Sequence, residues 1–204
     1  MELTIATWNC YQGTDRKVPA LLQAFRPHVA VVPESSSAPA VAAPGLLGVG
    51  VPHVWTGSWP SKGLGIYGCR GSTLAVREMI DGRATHGLAV DVDVDGRQFS
   101  VLGVWTVPLR GTGHPTPYMG ALAEILDRHA ALLATGRTVV AGDINCSAQS
   151  SPDSFAEFFQ ALLHRHGLVS AYHHVGDYET WCADDVPARS DHVPVVARVD
   201  IPAT

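Results

Sequence analysis

Thr138-Val139-Val140-Ala141-Gly142-Asp143-Ile144-Asn145 joins an apolar run directly to a polar turn. Thr138 to Ala141 form a short apolar, β-branched run, which fits a strand buried on both faces. Gly142-Asp143-Ile144-Asn145 then sets a carboxylate and an amide at the end of that strand. Polar groups delivered beside a core need partners, because burying them unpaired is costly. On the N-terminal side, Leu122, Ile125, Leu126, Leu132 and Leu133 share one helical face between Pro117 and Thr135, and Gly136 closes that helix. On the C-terminal side, Ser151 caps a helix with Pro152 at its first position and Phe155, Phe158, Phe159, Leu162 and Leu163 on its inner face. Gly167 stops it. A buried strand between two amphipathic helices belongs to a layered α/β protein.

The pattern extends outward. Leu3 to Asn9 is an apolar opening strand, Val18 to Phe25 has helical spacing ended by Arg26-Pro27, and Val29 to Val32 is a second buried strand running into Pro33-Glu34. Ser35 to Pro52, rich in Ser, Ala, Pro and Gly, reads as loop, and a Gly/Trp/Pro segment follows it. Leu64 to Tyr67 and Thr73 to Val76 are short strands. Gly87 to Val104 is a hairpin: Ala89-Val90-Asp91-Val92-Asp93-Val94 alternates, Asp95-Gly96 makes a favoured two-residue turn, and Phe99 to Trp105 returns. Val193 to Val199 closes the chain as a strand. No repeat or low-complexity linker divides residues 1–204, so one domain is expected. Hairpins mixed with strand–helix–strand passages favour a mixed α/β arrangement over an all-parallel sheet.

Hydrophobic residues make up 46% of the 204 and charged residues only 16%, which rules out general disorder. Fourteen Lys+Arg against nineteen Asp+Glu give a net charge of −5, which excludes a polybasic nucleic-acid binder. An acidic protein that handles phosphate needs a metal or a local basic spot. Cys10, Cys69, Cys146 and Cys182 show no CxxC spacing and read as buried free thiols. The N-terminus lacks a basic, apolar leader and no run approaches a membrane span, so a soluble, cytoplasmic protein is expected.

Polar residues collect at strand ends: Asn9 after the first, Glu34 after the second, Asp143 and Asn145 after the strand that follows the long helix, and Ser190-Asp191-His192 before the last. Taken singly, each has a plain structural reading. Asp-x-Asn is often a turn closed on its own backbone, Glu34 a solvated loop acid, and Asp191-His192 a hydrogen-bonded pair. Together they form an oxygen-rich set suited to a hard cation such as Mg²⁺, with Asp143 able to activate water and His192 able to move a proton.

Thr7-Trp8-Asn9, Pro33-Glu34, Gly142-Asp143-Ile144-Asn145 and Ser190-Asp191-His192-Val193-Pro194 resemble, in order, the signature blocks of the endonuclease/exonuclease/phosphatase (DNase I-like) family. The resemblance implies a four-layer sandwich of two mixed β-sheets flanked by helices, and Mg²⁺- or Mn²⁺-dependent cleavage of phosphate esters. It implies that Glu34 is the principal metal ligand with Asn9 beside it, and that Asp191 serves both the metal and His192. It further implies that Asp143 positions or deprotonates water, that Asn145 holds the phosphate, and that His192 contacts the transferring phosphoryl group.

Two positions depart from the family pattern. Trp105-Thr106 stands where relatives carry a strand-end His, so that His114 or Tyr118 would have to substitute, Trp105 itself reading either as a packing aromatic or as a wall for substrate. No Ile-Asp-Tyr-like strand is read between Leu168 and Ser190, where Asp184 or Asp185 would have to replace its acid. Lys62, on a Gly-rich segment after Trp55 and Trp59, is a further candidate for phosphate contact. His173-His174 reads as an exposed pair. With lysine only at Lys17 and Lys62, a small phosphorylated substrate is expected rather than duplex DNA, with no membrane or obligate protein partner. The alternative is the same fold recruited to a non-hydrolytic cyclisation or rearrangement of a small organic molecule.

Overall fold

The computed structural model describes residues 2–37, 51–81, 85–107, 117–145, 152–170, 178–180 and 194–201. In chain order the elements are β1 (Glu2–Thr7), α1 (Thr14–Phe25), β2 (Val29–Ser35), β3 (His53–Trp59), β4 (Lys62–Gly68), β5 (Thr73–Asp81), β6 (Thr85–Val94) and β7 (Arg97–Thr106). There follow α2 (Pro117–Arg128), α3 (Ala130–Leu133), β8 (Thr138–Asp143), α4 (Pro152–Arg165), β9 (Tyr178–Thr180) and β10 (Val195–Asp200).

Among the described residues, ten strands form two sheets, one of six in the order β3-β4-β2-β1-β10-β9 and one of four in the order β5-β6-β7-β8. Both are mixed: β1 pairs with β2, and β7 with β8, in parallel, while every other pairing is antiparallel. The two-residue period of each strand sorts its side chains into layers. Leu3 and Ile5 of β1, Val29 and Val31 of β2, and Leu64 and Ile66 of β4 face Leu88, Val90, Val92, Phe99 and Val101 of the other sheet. The alternate residues Ala6, Ala30, Val32 and Tyr67 pack under Val18, Leu21 and Leu22 of α1. On the opposite outer face Ala89, Leu102 and Val104 meet Leu122, Ile125 and Leu126 of α2, Leu132 and Leu133 of α3, and Leu162 of α4. Helix, sheet, sheet and helix are thus stacked in four layers, as expected. Each fully buried Leu, Ile or Val contributes about 1.5–3 kcal/mol relative to exposure.

Local details agree with the periodicities. Asp95 (φ 51°) and Gly96 (φ 79°) make the β6–β7 turn, and α1 ends where Arg26 turns left-handed (φ 44°) and donates its N–H to Leu22 O at 3.0 Å. Three differences stand out. The helix expected over Pro117–Thr135 breaks at His129, giving α2 and the one-turn α3; the His129 ring lies 2.8 Å from Ile125 O. The segment read as Gly/Trp/Pro-rich holds β3, which lacks clean alternation and is a strand because it pairs along β4. A strand does lie between Leu168 and Ser190: β9, three residues long, is held antiparallel to β10 with Thr180 opposite Val195. Ser151, His173-His174, Cys146 and Cys182 lie outside the described residues. Cys10 and Cys69 are free and buried.

Candidate active site

β1 and β2 run in parallel, so their C-terminal ends share one edge of the six-stranded sheet. Antiparallel β4 brings its N-terminal residue, Lys62, to the same edge. At this edge the backbone is strained. Tyr11 (φ 42°), Gln12 (φ 59°) and Glu34 (φ 56°) all adopt left-handed conformations without being glycine. Such residues cost of order 1–3 kcal/mol each and persist where the surroundings hold them. Here the Gln12 N–H donates to Glu34 O (3.1 Å) and the Cys10 N–H to Pro33 O (3.1 Å), and the Cys10 thiol donates to Glu34 O at 3.3 Å. Burial pushes the Cys10 thiol above its ordinary pKa, so it stays a neutral donor. The β2–β4 ladder skips Glu34 in a bulge between Pro33 and Ser35, which turns the Glu34 side chain out of the pairing.

From the other sheet, β8 delivers Asp143 opposite Trp105 of β7. One Asp143 oxygen accepts the Asn145 N–H at 2.9 Å, the local turn expected of Asp-x-Asn. The other leaves that turn and accepts from Asn9 Nδ2 at 2.8 Å, across 134 residues of chain. The same Asn9 nitrogen lies 3.3 Å from Glu34 Oε1. Asn9 Oδ1 accepts the Tyr11 N–H at 3.0 Å, which orients the amide with its nitrogen toward the acids. One buried amide therefore ties Glu34 and Asp143 together across both sheets. Asn145, also left-handed (φ 48°), donates its side-chain amide to Thr106 O at 2.9 Å.

Lys62 completes the cluster: its ammonium is 3.0 Å from Glu34 Oε2 and 5.3 Å from the centroid of the Trp105 ring. Trp105 is 4% exposed and its other close ring neighbour is His86, stacked at 4.8 Å. It is built into the core between the sheets, under Lys62, rather than displayed as a wall for substrate. Tyr118 stands half-buried in the first turn of α2 and makes no hydrogen bond to Asn9, Glu34 or Asp143. His114, Asp191 and His192 lie outside the described residues; β10 begins just beyond that block, with Val195 opposite Thr7, two residues before Asn9. Among the described residues no group of three or more His, Cys, Asp or Glu side chains converges as a metal cage. Two carboxylates and an amide do converge. Trp59, in the segment the sequence had set beside Lys62, is 71% exposed across the β3–β4 turn from it, and Tyr11 (60%) beside Asn9 is an exposed aromatic that sequence reasoning missed. Their exposure is a property of the folded surface that sequence pattern does not report.

Two mixed sheets face to face, helices outside, and acids from both sheets gathered at one edge define the DNase I-like α/β sandwich, the fold that the ordered sequence blocks imply. Solved structures of the same architecture include a D. rerio TDP2 humanized by 14 mutations, with TM-score 0.65 and 14% identity, covering 97% of this chain and 98% of that one. The human Nocturnin catalytic domain gives TM-score 0.61 at 14% identity over 97% and 92% of the two chains. The endonuclease domain of TRAS1, a telomere-specific non-LTR retrotransposon, gives 0.62 at 10% identity over 98% and 99%. No family model matches the chain, and no curated protein matches it by sequence.

Proposed function

We propose that the protein is a divalent-metal-dependent phosphoesterase acting on a small phosphorylated substrate. The observation that carries this reading is the Asn9 amide joining Glu34 and Asp143 from three separate segments of chain. A structural turn at Asp143 needs no partner 134 residues away. The donors fit a hard cation: they are carboxylate oxygens, and Glu34 Oε2 is buried without a hydrogen bond. Glu34, with Asp191, would hold Mg²⁺ or Mn²⁺, which when bound polarises a phosphoryl oxygen.

The remaining work falls to the chain's own groups. Asn9 donates toward both acids and fixes their relative placement. Asp143, fixed through both oxygens, accepts the proton of an attacking water. Asn145 faces solvent at the mouth of the site, beside Asp143, where the phosphate would lie. His192 protonates or steadies the leaving oxygen. Thr180 of β9 ends at the Val195 end of β10, so Asp184 and Asp185, which follow it in the chain, are the acids proposed to orient His192. A net charge of −5 with two lysines disfavours duplex DNA as substrate. Trp105, 4% exposed, gives no support to an apolar substrate wall of the kind a non-hydrolytic reaction would use.

Hydrolysis of bis-p-nitrophenyl phosphate with Mg²⁺ and Mn²⁺ tests the reading, with plasmid DNA run in parallel. Asp143→Ala and His192→Ala are each expected to lower turnover about 10²–10⁴-fold, the usual range for a lost general acid or base. Absence of metal-dependent turnover, or turnover indifferent to both changes, would reject the proposal.

A further inference from the structure

Glu34 Oε2 is a buried carboxylate oxygen with no aligned hydrogen bond, and Lys62 is the cation beside it, 3.0 Å away. The contact is one of charge rather than of hydrogen-bond geometry. A buried carboxylate oxygen in this condition is stabilised by whatever positive charge stands next to it. The fold goes to some length to put a lysine there. Lys62 begins β4 across a two-residue turn from Trp59. The next residue, Gly63, lies so close beneath the Trp55 indole that a Cβ would fall 2.6 Å from Trp55 Cε2, so only glycine fits at this point of the hairpin. Trp55 is itself anchored, its indole N–H donating to Ser35 O at 3.1 Å, one residue beyond Glu34. The ammonium also lies over the Trp105 ring, which favours a cation by its π-face.

We propose that Lys62 is the resident counter-ion of Glu34. Its ammonium supplies the positive charge at Glu34 Oε2 in the metal-free protein, and it must give up that oxygen when a divalent cation is bound, remaining over the Trp105 face. The inference rests on the metal-site reading of Glu34. Metal affinity is then a difference between two competing cations, and the wild-type protein binds metal more weakly than its carboxylates alone would allow. The lysine also holds the Glu34 side chain in place when no metal is present.

The test is equilibrium binding of Mn²⁺ to the metal-stripped full chain, read by isothermal calorimetry and by the electron paramagnetic resonance of free Mn²⁺. Wild type is compared with K62M, K62Q, K62R and E34Q, with circular dichroism confirming that each is folded. K62M and K62Q are expected to bind Mn²⁺ about three- to tenfold more tightly than wild type, because Lys62 is part-exposed and its competition is partly screened. K62R keeps the charge and is expected to bind as wild type does. Affinity in folded K62M and K62Q equal to or weaker than wild type, with E34Q impaired, would overturn the counter-ion role and leave the metal site standing. K62R binding as tightly as K62M would also overturn it, because charge would not be the cause. Undiminished binding by E34Q would instead remove the metal site on which the inference rests.

Discussion

Gly142→Ala is the substitution whose consequence the structure states most sharply. Gly142 pairs with Val104 in the parallel β7–β8 ladder at φ 142°, a conformation in which a side chain is strained. A Cβ there would run into the Val104 carbonyl oxygen and lie 2.8 Å from its carbon. The blocking atoms are backbone, so no rotamer change relieves the contact. Residues forced into sparsely populated, glycine-only backbone regions cost about 1–3 kcal/mol. Overpacking adds about 1–3 kcal/mol. A loss near 4 kcal/mol is therefore expected, a large part of a total of about 5–15 kcal/mol. At about 2–4 °C per kcal/mol for a chain of this size, Tm falls by about 8–16 °C. Because β8 must back away from β7, Asp143 moves off Asn9 and turnover falls further than stability alone explains. Gly96→Ala is the control: it also has positive φ (79°) but no atom within 4 Å of the added Cβ, so it bears only the conformational cost, about 1 kcal/mol. Thermal and urea unfolding followed by tryptophan fluorescence, beside phosphodiester hydrolysis at a temperature where both variants are folded, make the comparison. Equal midpoints for the two variants would refute the reasoning about β8.

Three further expectations concern the site and its supports. Asn9→Ala removes the amide shared by Glu34 and Asp143; metal affinity or turnover should fall about 10–100-fold, as for other supports of ligating groups, and unchanged Mn²⁺ binding and kinetics would dismiss the bridge. His28, 5% exposed, accepts the Thr4 N–H on Nδ1 at 2.9 Å, and burial, then the Arg70 charge, hold its pKa below 6.5. The unfolded chain thus binds the proton more readily, so this contribution to stability is complete above pH 6.5 and is lost as pH falls from there through the lower folded-state value. His28→Asn should flatten urea midpoints measured from pH 8 to pH 5, and an unaltered slope would discount His28. Burial pushes the Cys69 thiol up to about 12 and raises Cys10 as well. Iodoacetamide at pH 8 should therefore leave both unmodified in the native protein and alkylate them in urea, as read by peptide mass spectrometry; rapid native labelling of Cys69 would contradict its burial.

Much of the fold was legible along the chain, and for a specific reason. β1, β2, β6, β7 and β8 are strands whose alternate residues enter two different apolar layers, so each reads as β-branched and apolar, and the β6–β7 turn carries its Asp-Gly signature. Elements held by their neighbours were not legible. β3 is a strand through its pairing with β4, and β9 is three residues whose extended form depends on β10. The break at His129 was hidden because apolar spacing continues across it into Leu132 and Leu133.

The site divides in the same way. Asn9, Glu34 and Asp143 stood out in the sequence because carboxylates and amides at the ends of buried strands need partners, a local argument. The sequence alone pointed to these candidate groups and to their place at strand ends. That Asn9 joins the other two, that Lys62 stands 3.0 Å from Glu34, and that Trp105 is a core residue under that lysine were decided only by tertiary structure. These contacts join segments from 25 to 134 residues apart. They arise from how two twisted sheets close on each other and how tightly a glycine lets one strand approach the next, and periodicity within a segment carries no record of either.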